Sequence, residues 1–150
     1  MFALEVPNLN LVPAQAHDAQ ALFTLYRDCI RPHLERAFGW DDAQQHERFH
    51  SRYTLENFLW IDGKERMGTL YLQEKPGRIH LSLLLIDAPF RNAGLGSQVI
   101  QAIIEQASPR DVSLSVTKEN PALKLYEKLG FQITGEDTWF YDMVLNQPQK

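Results

Sequence analysis

Apolar residues recur along this chain with two periods, and each change of period marks a new element. Asn8–Val12 alternates and predicts a first strand, closed by Pro13. Ala19, Leu22, Phe23, Tyr26 and Ile30 fall at helical spacing and predict an amphipathic helix over Ala16–Ile30. Pro32 lacks an N–H, so a bend or restart is expected there, with Gly39 ending the segment that follows. Asp41 or Asp42 offers a carboxylate cap to a second helix running through Gln45, Phe49 and Arg52. Asn57–Asp62, Arg66–Gln73 and Arg78–Ile86 read as three strands joined by the turn pairs Asp62-Gly63 and Pro76-Gly77, which predicts an antiparallel meander.

Leu83–Ile86 is an unbroken apolar run, followed by a turn over Asp87–Gly96. From Leu95 to Ala107 the period becomes helical, with Leu95, Val99, Ala102 and Ile103 on one face. Asp111–Thr117 alternates as the next strand. Asn120 and Pro121 open a short helix, Ala122–Leu129, which Gly130 terminates. Phe131–Thr134 and Trp139–Leu145 are the last strands. Strand–helix–strand–helix–strand order between residues 78 and 134 predicts parallel neighbours in one sheet. The pattern predicts an α/β fold: a mixed, mostly antiparallel sheet of seven strands with four helices on its two faces.

Composition narrows the function classes. A chain of 150 residues is expected to form one domain over residues 1–150, and 44% hydrophobic residues suffice for one substantial core. A net charge of −4 argues against nucleic acid or an anionic membrane as partner. The lone Cys29 excludes an intramolecular disulfide and fits a reducing compartment; within its helix it reads as a small packing residue. The N-terminal MFALEVPNLN lacks the basic and apolar regions of a signal peptide, and no apolar run approaches a membrane span. A cytoplasmic protein is expected.

Chemistry enters at the turn between the strand ending at Ile86 and the helix starting at Leu95. A strand running through a glycine-bearing turn into a helix aims backbone N–H groups at one spot, and the helix dipole favours an anion there. Gly94 and Gly96 would let the backbone approach a phosphate closely. A P-loop is excluded because Ser97 and Gln98, not Lys and Ser/Thr, follow Gly96. A dinucleotide fingerprint is excluded because Val99 stands where a third Gly or Ala is needed.

Arg91-Asn92-Ala93-Gly94-Leu95-Gly96 resembles the Arg/Gln-x-x-Gly-x-Gly/Ala pyrophosphate loop of the GNAT family of N-acetyltransferases. Asn120-Pro121-Ala122-Leu123-Lys124-Leu125-Tyr126-Glu127-Lys128-Leu129-Gly130-Phe131 resembles the family's Asn-Pro-Ala-x-x-Leu-Tyr-x-x-x-Gly-Phe segment. The resemblance covers residues 8 to 145. It implies transfer of an acetyl group from acetyl-coenzyme A to an amine by direct attack, with no metal. It implies that Asn92, Ala93, Gly94, Leu95, Gly96 and Ser97 hold the pyrophosphate beside Arg91, and that Leu84, Leu85 and Ile86 pair with the pantetheine arm. Asn120 would contact the cofactor, although a helix cap explains it equally well. Tyr126 would stand beside the thioester sulfur as hydrogen-bond donor to the departing thiolate. A phenol of pKa ~10 is protonated at neutral pH, but full proton transfer to a thiolate of pKa ~8.5 is uphill in water.

The proton acceptor is less determined. Some members of the family carry a glutamate on the strand before the Asn segment, but Ser113, Leu114, Ser115, Val116 and Thr117 include no carboxylate. Others place Glu or His eleven residues ahead of the loop's first residue, and that position is His80. An imidazole of pKa ~6.5 suits the task; a half-buried histidine satisfied by a neighbour is the alternative. Trp40 and Asp41 are candidates for contact with the acceptor, with packing and capping as their plainer readings. His17, His33, His46 and His50 read as solvated helix faces. The partners implied are acetyl-coenzyme A and an amine, with polyamine, amino acid, antibiotic and protein N-terminus all open, and a homodimer equally open. The alternatives are a catalytically silent acyl-coenzyme A-binding module of the same fold and a transferase for longer acyl groups.

Overall fold

The computed structural model describes residues 2–148. In chain order the strands are β1 (Asn10–Pro13), β2 (Phe58–Asp62), β3 (Arg66–Lys75), β4 (Arg78–Ile86), β5 (Asp111–Thr117), β6 (Gln132–Glu136) and β7 (Phe140–Leu145). The helices are α1 (Ala19–Phe38), α2 (Asp42–Arg52), α3 (Leu95–Ala107) and α4 (Leu123–Lys128), with single 3-10 turns at 16–18, 55–57 and 88–90. All seven strands join one sheet in the order β1-β2-β3-β4-β5-β7-β6. Among the described residues no helix is long and apolar enough to cross a membrane.

Each face of the sheet has its own core. On one, Val99, Ile100 and Ile103 of α3 pack against Ile79, Leu81, Val112 and Leu114. On the other, Leu22, Phe23, Tyr26, Ile30 and Leu34 of α1 and Phe49 of α2 cover Phe58, Trp60, Tyr71, Leu83 and Leu85. β4 contributes to both because its register against β3 shifts between Leu81 and Leu83, leaving Ser82 as an extra residue. One inserted residue in a period-2 strand exchanges the faces that its side chains address. Ile79 and Leu81 therefore face α3, whereas Leu83 and Leu85 face α1 and α2.

Two expectations are corrected. Pro32 neither ends nor restarts the first helix, since α1 continues through it to Phe38. Ile30 and Leu34 on either side are buried in the same core. Burying two such side chains stabilises by about 3–6 kcal/mol, which offsets the ~3 kcal/mol lost at an internal proline. Gly39 then closes α1 with φ +73, and Asp41 caps α2 by accepting the N–H of Gln44 at 3.1 Å. Parallel pairing is confined to β4 and β5, because β7 enters between β5 and β6 and runs antiparallel to both.

Candidate active site

β4 and β5 pair only over Arg78–Leu81 and Asp111–Leu114. Beyond that rung β4 keeps its bonds to β3 alone and β5 its bonds to β7 alone. The two strands part, and a cavity of about 410 Å³ occupies the opening. Leu84, Leu85 and Ile86 line it from β4, and Arg91, Asn92, Gly94, Leu95, Gly96 and Ser97 from the turn and the start of α3. Asn120 and Tyr126 line it from the far wall; Ala93 stands outside the lining. The cavity passes between the strands, since residues of both sheet faces reach it.

The α3 end of the cavity carries the start of a helix. Gly94 precedes the helix in the left-handed conformation (φ +81), and no side chain caps the first turn. The leading N–H groups of a helix have no intrahelical acceptor, and here they belong to Leu95, Gly96 and Ser97, which line the cavity. Arg91 is held at the cavity wall: its Nε donates to the carbonyl of Ile86 at 2.8 Å and its Nη2 to Cys29 Sγ at 3.3 Å. The guanidinium thereby fixes the end of β4 against α1.

Tyr126 is buried and meets Phe131 edge-to-face at 6.0 Å. Its hydroxyl has no hydrogen-bond partner among the described residues, and burial pushes its pKa up to about 12. It is therefore a protonated donor at neutral pH on a residue that lines the cavity. Asn120 Oδ1 accepts the N–H of Ala122 at 2.9 Å, so the carbonyl end of its amide serves as cap while the residue also lines the cavity.

His80 belongs to a second, smaller cavity of about 160 Å³ on the α1/α2 side, lined also by Arg52, Tyr53, Tyr71, Gln73, Lys75, Ser82, Ser115 and Phe140. Ser82 and Ser115 are the first residues past the last β4–β5 rung, so this cavity abuts the point where the strands part. Nδ1 of His80 lies 2.6 Å from Ser113 Oγ, and Nε2 lies 3.5 Å from Ser115 Oγ, which donates to Asp142 at 3.2 Å. Burial, reinforced by Lys75 and Arg78, draws the imidazole down to about 4. The ring is neutral at pH 7.

Trp40 and Asp41 line neither cavity. Trp40 Nε1 donates to Asp42 at 3.1 Å and Arg31 lies 5.9 Å from its ring, while Asp41 is the α2 cap. Three residues of α1 that sequence reasoning left aside do reach the larger cavity: Cys29, Ile30 and His33. His33 is half-buried rather than solvated, and burial, aided by Arg91, lowers its pKa. Burial likewise raises the Cys29 thiol, opposed by Arg91. The spacing of Cys29 and His33, four residues apart and beside the apolar stripe, was the available signal.

The family model described as "Acetyltransferase (GNAT) family" matches residues 19–131. This chain belongs to the GNAT family. It is similar to the spermine/spermidine N(1)-acetyltransferase of Bacillus subtilis, with 33% identity over 67 residues covering 41% of this chain and 44% of that protein. It is also similar to the mouse cysteine-rich protein 2-binding protein, with 35% identity over 68 residues, 45% of this chain and 9% of that one. The chain thus spans less than half the length of these relatives. Among solved structures, the PaiA N-acetyltransferase of Thermoplasma acidophilum in complex with coenzyme A matches with a TM-score of 0.68 at 14% identity, over 92% of this chain and 98% of that one. YjaB of Escherichia coli, in its apo form, matches at 0.70 and 15% identity, over 93% and 99%. These structural likenesses concern the fold. The residues of this GNAT chain fit coenzyme A: an unpaired strand edge for an amide-bearing arm, open helix N–H groups for a pyrophosphate, and a channel between them.

Proposed function

We propose that this GNAT chain is an N-acetyltransferase that moves the acetyl group of acetyl-coenzyme A to a primary amine by direct attack. The observation that carries the reading is Tyr126, a buried phenol without a hydrogen-bond partner among the described residues, in the lining of the cavity beside the parted strands. Bound there, acetyl-coenzyme A supplies an activated thioester. Backbone N–H groups of Leu95, Gly96 and Ser97 hold its pyrophosphate, and the free edge of Leu84, Leu85 and Ile86 pairs with its amides. Tyr126 donates a hydrogen bond to the sulfur as negative charge develops, which matters because donors in a water-poor site are strong.

His80 orients the amine as a neutral acceptor rather than as a strong base. An alkylammonium of pKa ~10.4 does not yield its proton readily to an imidazole near 4. The cationic surroundings of the smaller cavity instead favour the neutral amine, as like charges lower the pKa of an ammonium. Thiol release from acetyl-coenzyme A, screened against a panel of amines, tests the reading; a panel that elicits none from a protein that binds coenzyme A opposes it. The absence of any carboxylate from both cavity linings favours, as the second reading, a silent acyl-coenzyme A-binding module. Single-turnover acetyl transfer separates the two.

A further inference from the structure

The smaller cavity has an electrostatic character that the acetyltransferase reading does not require. Arg52 of α2 and Lys75 of β3 line it, and no carboxylate does. Among the described residues neither cation lies in an ion pair, although Lys75 is half-buried. Arg52 instead lies over the rings of Tyr53 and Phe140, at 6.0 and 5.7 Å. Its neighbour one turn back, Arg48, lies 4.0 Å from the Trp139 ring, and both arginines help to lower the pKa of Asp137 without forming an ion pair with it among the described residues. The acids nearest this group are already engaged: Asp142 accepts from Ser115, and Asp137 accepts the N–H groups of Trp139 and Phe140 at 2.8 and 2.7 Å.

The remaining lining is polar and small. Tyr71 Oη accepts from Thr54 N and Asn57 Nδ2, which aims its own hydrogen elsewhere. Gln73, Ser82 and Ser115 add an amide and two hydroxyls. An ammonium lining a cavity that holds no carboxylate is open to an anionic partner, and a guanidinium held on aromatic faces is preorganised to meet one. Ser82 and Ser115 bring the cavity to the point where the strands part, where an amine would have to stand to reach the larger cavity.

We propose that the acceptor is a small primary amine bearing a carboxylate or phosphate, with the anionic group held by Arg52 and Lys75 and the amine directed past His80 toward the parted strands. The proposal rests on the acetyltransferase reading and names its substrate class. A volume of about 160 Å³ suits a molecule of amino-acid size. A polyamine is disfavoured, because its further ammonium groups would meet Arg52 and Lys75 and find no lining carboxylate.

The test compares amines that differ only in the anion: serine with ethanolamine and O-phosphoethanolamine, lysine with cadaverine, tyrosine with tyramine, and spermidine. Thiol release is followed in the wild type, Arg52→Gln, Lys75→Gln and the double variant, with melting curves to confirm that each is folded. The expected result is a kcat/KM at least ~10-fold higher for the anionic member of at least one set, carried mainly by KM. The double variant should erase the difference between that amine and its uncharged counterpart. Preference for serine over O-phosphoethanolamine assigns the anion as carboxylate, and the reverse as phosphate. Equal or better turnover of ethanolamine, cadaverine or spermidine overturns the proposal while leaving the acetyltransferase reading intact. A second readout is independent of turnover: calorimetric binding of the N-acetylated members of each set to the coenzyme A complex. If no amine is acetylated but N-acetylserine or its phosphate analogue binds at least ~10-fold tighter than N-acetylethanolamine, and the double variant abolishes the difference, the anion site stands and the transferase reading fails. If neither turnover nor binding distinguishes the anionic members, the anion site is refuted.

Discussion

Nδ1 of His80 lies 2.6 Å from the hydroxyl of Ser113, across the short ladder over which β4 and β5 remain paired. This contact ties the imidazole to β5 one rung before the strands part. Burial, reinforced by Lys75 and Arg78 and opposed by Asp142, lowers the same ring from 6.5 to about 4.

The pH profile follows. His80 is neutral above pH 5, so kcat/KM should climb toward the pKa of the amine with no inflection at 6 to 7. His80→Gln should keep the shape of the profile while lowering its height. A wild-type inflection near 6.5 that disappears in His80→Gln would show the imidazole to be the base after all. The sign for stability is equally definite. A depressed pKa means that the unfolded chain takes up the proton first. The stabilising contribution is thus complete above 6.5 and is lost as pH falls toward 4. Denaturant midpoints of wild type and His80→Gln should converge over that interval.

Tyr126→Phe removes only the hydroxyl from a ring that stays packed on Phe131. Turnover should fall ~10²–10⁴-fold, with coenzyme A affinity nearly unchanged. Equal turnover in stopped-flow and steady-state assays would relegate Tyr126 to packing.

Two glycines offer different tests of the anion end. Gly94 sits at φ +81, so a valine there is strained whatever binds, and its loss of affinity is confounded with loss of fold. Gly96 has no such conformation, and an added Cβ would meet only Leu84 Cδ2 at 3.9 Å. Gly96→Val should therefore retain cooperative unfolding while coenzyme A affinity drops by at least ~10-fold, since its side chain enters the cavity lining. Unchanged affinity by calorimetry removes the turn from the binding site.

Cys29 reports on occupancy of the same cavity. Burial raises its thiol above the ordinary range, so alkylation by iodoacetamide should be slow at pH 7 and accelerate as pH rises. Saturating coenzyme A should slow it further, as Cys29 shares the lining with Ile86 and Arg91. Mass spectrometry of the labelled chain measures both effects; a rate indifferent to coenzyme A excludes Cys29 from the occupied channel.

The elements of this fold were legible in the sequence wherever local period and turn chemistry agreed. Leu95–Ala107 and Asp111–Thr117 carry their full boundaries in their own residues. The two motifs at Arg91–Gly96 and Asn120–Phe131 likewise announce the family, because a turn between strand and helix depends on residues adjacent in the chain. What the tertiary structure alone decided depends on residues far apart. Pro32 stays helical because Ile30 and Leu34 find a core built by β2, β3 and β4. The extra residue Ser82 moves Leu83 and Leu85 to the α1 face, which no periodicity in β4 by itself reveals, since the bulge exists only relative to β3. His80 faces Ser113 and Lys75 because β4 lies between β5 and β3, and that neighbourhood, not the imidazole, sets its pKa. Burial and field are sums over neighbours, and a sequence orders neighbours only along the chain.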